Sequence, residues 1–193
     1  MTHLREIPSI VYSPLLLLFC FILIIATGCA GGYASIGRTF QGETLALTVV
    51  NIFPISELTY TEANGVPTLV EPSTTDNELI IIHIRLQNDI AEQVLLDTDA
   101  HPAELRTLND ERFLAINPSS AGTPTNQPRL ELTRQTLLDK HVPYPSEGLF
   151  IKGSTVLKKG FALEGWLVFD LPKDSELAEL RWESAGDIMF IDL

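Results

Sequence analysis

The stretch Asp97-Thr98-Asp99-Ala100-His101 sets two carboxylates and an imidazole at every second position, and Glu104 follows. On a loop, carboxylate oxygens in that pattern can hold a hard cation. His101 would extend the set toward a transition metal. The fit to a calcium loop is poor, because no glycine stands at the sharp-turn position and no bidentate glutamate closes the ring. The stretch reads first as a solvated hairpin tip. A metal site at Asp97, Asp99 and His101 is the alternative. Hydrolytic chemistry needs serine or cysteine beside histidine and a carboxylate. The chain has no Gly-x-Ser-x-Gly motif, Walker motif or Gly-x-Gly-x-x-Gly loop. His83 falls in the middle of an apolar run and reads as structural. His141 precedes Val142-Pro143 and has no partner visible in the sequence. No catalytic set and no cofactor are expected, so the chain does not read as an enzyme.

Two aromatic residues are candidates for partner binding. Trp166 shares a strand face with Glu164, Val168 and Asp170, which predicts partial exposure, and an exposed indole on a sheet can anchor a partner. Tyr144 stands between Pro143 and Pro145 on a long polar segment. Trp182, at period two from Leu180, is expected in the core.

The two cysteines are Cys20 and Cys29. Cys20 lies within the apolar run 15–26. Twelve helical residues rise about 18 Å, too short for a hydrocarbon core of about 30 Å. The longer uncharged window 7–27 could just span one, with Pro14 weakening it as a continuous helix. The shorter reading is the apolar region of a signal peptide, preceded by Arg5. Ala26-Thr27-Gly28-Cys29 follows, and it resembles the lipobox of bacterial lipoproteins: small residues before a cysteine. That resemblance implies cleavage after Gly28 and acylation of the Cys29 sulfur, palmitate being one such chain. It departs from the usual pattern at Ala26, where leucine is more common. An uncleaved membrane helix and ordinary secretion are the alternatives. Lipidation would also account for the one cysteine left in the exported chain.

The elements that would position any site are strands. Residues 44–53 form a first run, which 55–60 would continue after Pro54 breaks the ladder. Residues 62–77, with Asn64-Gly65, Pro67 and Pro72, read as a loop or loose hairpin. ELIIIHIRLQ at 78–87 is the strongest strand. Ile80, Ile82, Ile84 and Leu86 form its core face, while the other face begins apolar and turns polar. Residues 93–96, 103–108, 112–116 and 154–157 are short strands, and 117–128 is an exposed Pro-rich loop. Residues 130–140 are the one place for a short helix, with loop again at 141–148. A second long strand, 161–171, carries Phe161, Leu163, Leu167, Phe169 and Leu171 on one face. The stretches 177–183 and 187–193 close the chain around Ala185-Gly186. About seven to nine short strands and at most one short helix predict an all-β antiparallel sandwich. The absence of βαβ alternation excludes dinucleotide-binding and TIM-barrel architectures.

The order LTVVNI, ELIIIHIRLQND, GFALEGWLVFDLPKD, LAELRW and GDIMFIDL resembles a family of bacterial immunoglobulin-like lipoprotein domains of unknown function. Their telokin-like sandwich is similar to that of a secreted mycobacterial immunogenic antigen. The matching positions are 80–88, ending in Asn88, and Gly165, Phe169 and Pro172-Lys173. The resemblance spans about residues 44–193 and implies an immunoglobulin-like β-sandwich on a lipid tether, with no activity attached. The long region 117–144 departs from the family pattern.

Of the 193 residues, 13 are Lys or Arg and 25 are Asp or Glu, a net charge of -12. Arg5 and Glu6 cancel, so the whole excess lies beyond residue 28. That balance argues against nucleic acid, which needs clustered cations. The expected organisation is 1–28 signal peptide or anchor, 29–43 flexible tether and 44–193 sandwich. The expected location is the cell envelope, outside the cytoplasm, on a bilayer held through Cys29. The expected role is interaction with an envelope partner through loops 62–77 and 117–148.

Overall fold

In the computed structural model, residues 36–61, 65–126 and 150–193 are described. The run at 78–87 becomes β5 (Asn77–Asn88), the centre of the first sheet. On one side it pairs antiparallel with β2 (Leu45–Ile55), whose outer neighbour is β1 (Thr39–Gln41). On the other it pairs along its whole length with β11 (Phe161–Pro172). The register sets Leu163, Leu167 and Phe169 opposite Leu86, Ile82 and Ile80, so the expected apolar faces meet.

Facing this sheet is a second, in the order β13 (Asp187–Asp192), β12 (Leu177–Ser184), β7 (Glu104–Thr107), β8 (Arg112–Leu114). A two-stranded sheet of β6 (Gln93–Asp97) and β10 (Ser154–Lys158) accompanies it. Between them lies the main core: Leu45, Leu47, Val49, Ile80, Ile82, Ile84, Leu86, Phe169, Leu180, Trp182 and Met189 are all buried in one cluster. An antiparallel all-β sandwich is thus what the chain forms.

Three features go beyond the sequence reading. First, β1 lies within the stretch expected to be tether, because Thr39, Phe40 and Gln41 pair with Thr48, Leu47 and Ala46. Order therefore begins earlier than residue 44. Second, β2 runs through Pro54 to Ile55. β1 pairs only at Ala46, Leu47 and Thr48, so among the described residues one edge of β2 has no neighbouring strand at Pro54, where a missing N–H breaks no ladder.

Third, the sheet is covered on both faces. The β2 register shifts at Val50, between Val49 opposite Ile84 and Asn51 opposite His83. One extra residue reverses which face later side chains take. Leu45, Leu47 and Val49 enter the main core, whereas Phe53 and Ile55, at the same sequence parity, enter a second one. That second core includes Leu58 and Tyr60 of β3 (Leu58–Thr61), Val70 of β4 (Pro67–Val70), Leu79, Ile81, Phe150, Trp166 and Val168. The β3–β4 hairpin, extended by β9 (Thr123–Pro124), therefore roofs the outer face of β5 and β11. The many short strands take the count past the seven to nine expected.

The helix α1 (Pro118–Ala121) starts at an Asn117 cap whose side chain accepts the Ser119 amide. It falls in the stretch expected to be loop. The expected helix at 130–140 lies outside the described residues. Among the described residues no helix is long and apolar enough to cross a membrane.

Candidate functional site

Residues 97–101 connect β6 to β7 as a self-bonded turn. Asp97 Oδ1 accepts the Asp99 amide at 3.2 Å and the Ala100 amide at 3.0 Å, and the Asp97 carbonyl accepts the His101 amide at 2.9 Å. This is an Asx-type turn, in which a short carboxylate substitutes for a backbone acceptor. The Ala100 amide is the main cause holding the Asp97 carboxyl below its ordinary value. Partial desolvation opposes that shift, and the Ser154 side chain, the Asp99 amide and His101 add to it. Asp99 Oδ1 accepts the Asn117 side-chain amide at 3.2 Å, and the His101 carbonyl accepts Trp182 Nε1 at 2.8 Å. The Asp97 and Asp99 carboxylates thus hold the turn, and the His101 backbone fastens it to the core. Among the described residues no three His, Cys, Asp or Glu side chains gather as a metal-ligand set.

The turn borders an open depression of ≈ 490 Å³ on the solvent face of the second sheet, lined by His101, Glu104, Arg106, Arg112, Arg181 and Glu183, among others. The ladders place these side chains in rows. One row crosses the sheet as Leu114, Glu104, Arg181, Phe190. The next runs Arg112, Arg106, Glu179, Asp192. Arg106 bonds Glu104 through Nε, and its Nη1 lies 4.0 Å from Glu179 Oε1. The Glu104 hydrogen bond is the main cause raising Arg106 above the ordinary arginine value. Arg112 stands directly opposite Arg106, and like charges in that position disfavour pairing. Sequence reading missed this face. ELRT and RWES show its polar alternation, but which cation opposes which carboxylate depends on register between segments far apart in the chain.

The expected exposure of Trp166 is corrected. Its indole is 1% exposed, because the β3–β4 hairpin covers the face it occupies. It stacks on His83, with ring centroids 4.5 Å apart and planes 14° apart, and His83 Nε2 meets Glu164 Oε1 at 3.0 Å. A buried indole packs the core and offers nothing to a partner. His83 is structural, as read. Tyr144, His141 and Cys29 lie outside the described residues, as do 62–64 and 127–148 of the two expected contact loops.

Asn88 and Lys173, two positions quoted for the resemblance, are fasteners. Asn88 is buried, and its side chain donates to the carbonyls of Ala91 (2.9 Å) and Leu157 (3.0 Å) and accepts the amides of Ile90 (3.2 Å) and Ala91 (3.0 Å). Lys173 Nζ donates to the Thr75 carbonyl at 2.6 Å, and neighbouring Asp170 accepts the Ser73 amide and the Asn77 side chain, each at 2.8 Å.

No protein-family model matches the chain, and no curated protein matches it. Among solved structures it is similar to ycdA of Bacillus subtilis, a candidate lipoprotein, with a TM-score of 0.50 and 10% identity over 84% of this chain. The match covers 39% of ycdA, so this chain spans about two-fifths of that protein's length. Weaker likenesses are the yjhA protein of Bacillus subtilis, with a TM-score of 0.47, 16% identity and 80% and 86% of the two chains covered. An uncharacterized β-sandwich protein of Clostridium difficile has a TM-score of 0.45, 11% identity and coverage of 81% and 90%. At such identities the likeness is one of fold, a β-sandwich to which no activity is attached.

Proposed function

We propose that this chain is an extracytoplasmic lipoprotein, an immunoglobulin-like sandwich tethered to the cell envelope, where it binds another component rather than catalysing a reaction. The observation that carries the reading is the order of its parts. The apolar run 15–26 ends in Ala26-Thr27-Gly28-Cys29, and the sandwich begins at Thr39. An acylated Cys29 would hold the domain at a bilayer surface, with more than one acyl chain needed for firm attachment.

The uses of the polar groups support a binding role. Asp97 closes a turn, His83 packs against an indole, and Asp187 and Asn88 bind backbone groups. Each has a structural task, and among the described residues none converges with a nucleophile. The metal-binding alternative at Asp97, Asp99 and His101 gains no support, since Asp97 and Asp99 already accept hydrogen bonds within the fold.

Cys29→Ser tests the tether. The expected result is loss of the diacylglyceryl mass from the N-terminal peptide and release of the chain from the membrane fraction. Full retention of the variant would move the reading to an uncleaved helical anchor. Cross-linking in intact membranes tests the binding role, and recovery of the chain alone would count against it.

A further inference from the structure

The solvent face of the second sheet carries two complete rows of side chains across β8, β7, β12 and β13: Arg112, Arg106, Glu179, Asp192 and Leu114, Glu104, Arg181, Phe190. Three arginines stand there with three carboxylates, so the two rows together are neutral. Each row is also its own complement when reversed. Arg112 at one end has Asp192 at the other, and Arg106 is matched in the same way by Glu179. In the second row Leu114 is matched by Phe190 and Glu104 by Arg181. Leu114 is 55% exposed and Phe190 46%. Among the described residues, the side chains of Arg112, Arg181 and Asp192 have no hydrogen-bonding or ion-pair partner.

We propose that this face pairs with the same face of a second copy of the chain. The two-fold axis lies in the interface, parallel to the strands and between β7 and β12. It carries β8 of one copy over β13 of the other, and β7 over β12, as an isologous contact requires. Arg112 then faces Asp192 of the partner subunit, and Arg106 faces Glu179 of the partner subunit. Glu104 meets the partner's Arg181, and Leu114 meets the partner's Phe190. By symmetry every contact occurs twice. A two-fold axis across the strands would instead set Arg112 on the partner's Leu114 and Asp192 on the partner's Phe190. Covering a charge with an apolar group is costly, so the order of side chains selects the first axis.

The pairing resolves two features of the single copy. Arg112 and Arg106 lie side by side as like charges, and the second copy sets a carboxylate opposite each. Leu114 and Phe190, exposed on the single copy, cover one another. Packed sheets cross at about 30°, an offset that long arginine and glutamate side chains span. Glu183 and Ile188 lie in the next row, outside the two neutral ones. Each copy has a net charge of -12, which opposes approach from a distance. Salt screens that repulsion beyond about 8 Å at physiological ionic strength, whereas the facing charges are in contact. Four strands span ~19 Å at their usual spacing, so the contact is small and the dimer reversible. This pairing goes beyond the proposed envelope partner and does not depend on the tether.

Two differently tagged forms of the full chain are co-expressed and solubilised in mild detergent. One is captured, and the fraction of the other that comes with it is read. The parent is expected to pair. Arg112→Glu in both forms is expected to lower co-capture about fivefold or more, and Asp192→Arg in both forms likewise, since each sets like charges face to face. The two substitutions move the net charge in opposite directions, so a fall in both does not come from overall repulsion. Arg112→Glu in one form with Asp192→Arg in the other is expected to restore co-capture to the parental value, because both edge contacts again join opposite charges. Leu95→Glu, on the exposed β6 outside this face, is expected to match the parent. Unchanged circular dichroism of each variant shows that the fold is kept. A parent that does not pair, single variants that pair as the parent does, or a mixed pair no better than either variant alone overturns the proposal.

Discussion

The Asp187 carboxylate, at the start of the last strand, accepts the Leu45 amide of β2 at 2.6 Å. The same side chain accepts the amides of Glu43 at 3.0 Å and Thr44 at 2.7 Å, so one buried acid receives three successive N–H groups and joins the two facing sheets. Asp187→Ala leaves these donors without an acceptor, with Leu45 fully buried. Each buried orphan costs about 1–3 kcal/mol. The expected loss is about 3 kcal/mol or more, read as a lower urea midpoint with unchanged slope. A midpoint within error of the parent would show that water replaces the carboxylate.

Gly42 belongs to the same construction. A Cβ there would lie 2.9 Å from Asp187 Oδ2 and 2.9 Å from the Leu45 carbonyl. Gly42→Ala should therefore cost about 1–3 kcal/mol through crowding. In an Asp187→Ala background one of the two clashes is gone, so the added cost of Gly42→Ala should fall. A double-mutant cycle reads that coupling, and strict additivity would mean that the two sites do not act through this contact.

Asn88 closes β5 with all four side-chain hydrogen bonds made, to residues 90 and 91 of the following turn and to Leu157 of β10. Replacing a buried amide that is fully used removes both donors and both acceptors at once. Asn88→Ala should cost about 3 kcal/mol or more. Asn88→Asp should also destabilise, because its carboxylate cannot donate to the Ala91 and Leu157 carbonyls. Hydrogen exchange should show the loss first in β6 and β10. Uniform loss across the domain would argue against this local role.

Much of the sandwich was legible in the sequence, because a strand with one buried face announces itself by period two. Ile80, Ile82, Ile84 and Leu86 were placed correctly on that ground, as was Trp182. The second core was not legible. Leu79 and Ile81 looked like the start of a face emerging into solvent, and Trp166 looked half-exposed. What covers them is the β3–β4 hairpin, whose Asn64-Gly65 and prolines read as a loop or loose hairpin with no sign of which face it would cover. The bulge at Val50 is equally hidden, since Leu45 through Ile55 keeps one apparent parity while serving two cores. The arginine face depends on ladder register between β8, β7 and β12, which local sequence does not encode. Asn88 and Lys173 stood out by family resemblance, but only the geometry gives them their physical task.

Trp166 now makes a stability prediction where the sequence alone offered it only as a candidate for binding. It fills the second core between Phe53 and His83, with the Phe53 ring centroid 6.1 Å away. Trp166→Ala opens a cavity expected to cost about 3–5 kcal/mol. Trp166→Phe keeps part of the volume and should cost clearly less. A surface anchor would behave differently, since both variants would then unfold at the parental midpoint.

The acid side of the stability curve should report on Asp97. Its carboxyl is held below the ordinary value of 3.8, chiefly by the Ala100 amide. A carboxylate with a depressed folded pKa adds stability that is fully present above the unfolded value and is lost as the pH falls through the folded one. Parent and Asp97→Ala should therefore differ most at neutral pH, and the gap should narrow below about pH 4. Urea midpoints measured for both proteins from pH 7 down to pH 2.5 test this, alongside the carboxyl-carbon titration of Asp97. A gap that stays constant across the series would mean that Asp97 contributes by shape alone and that its charge has no share in holding the turn.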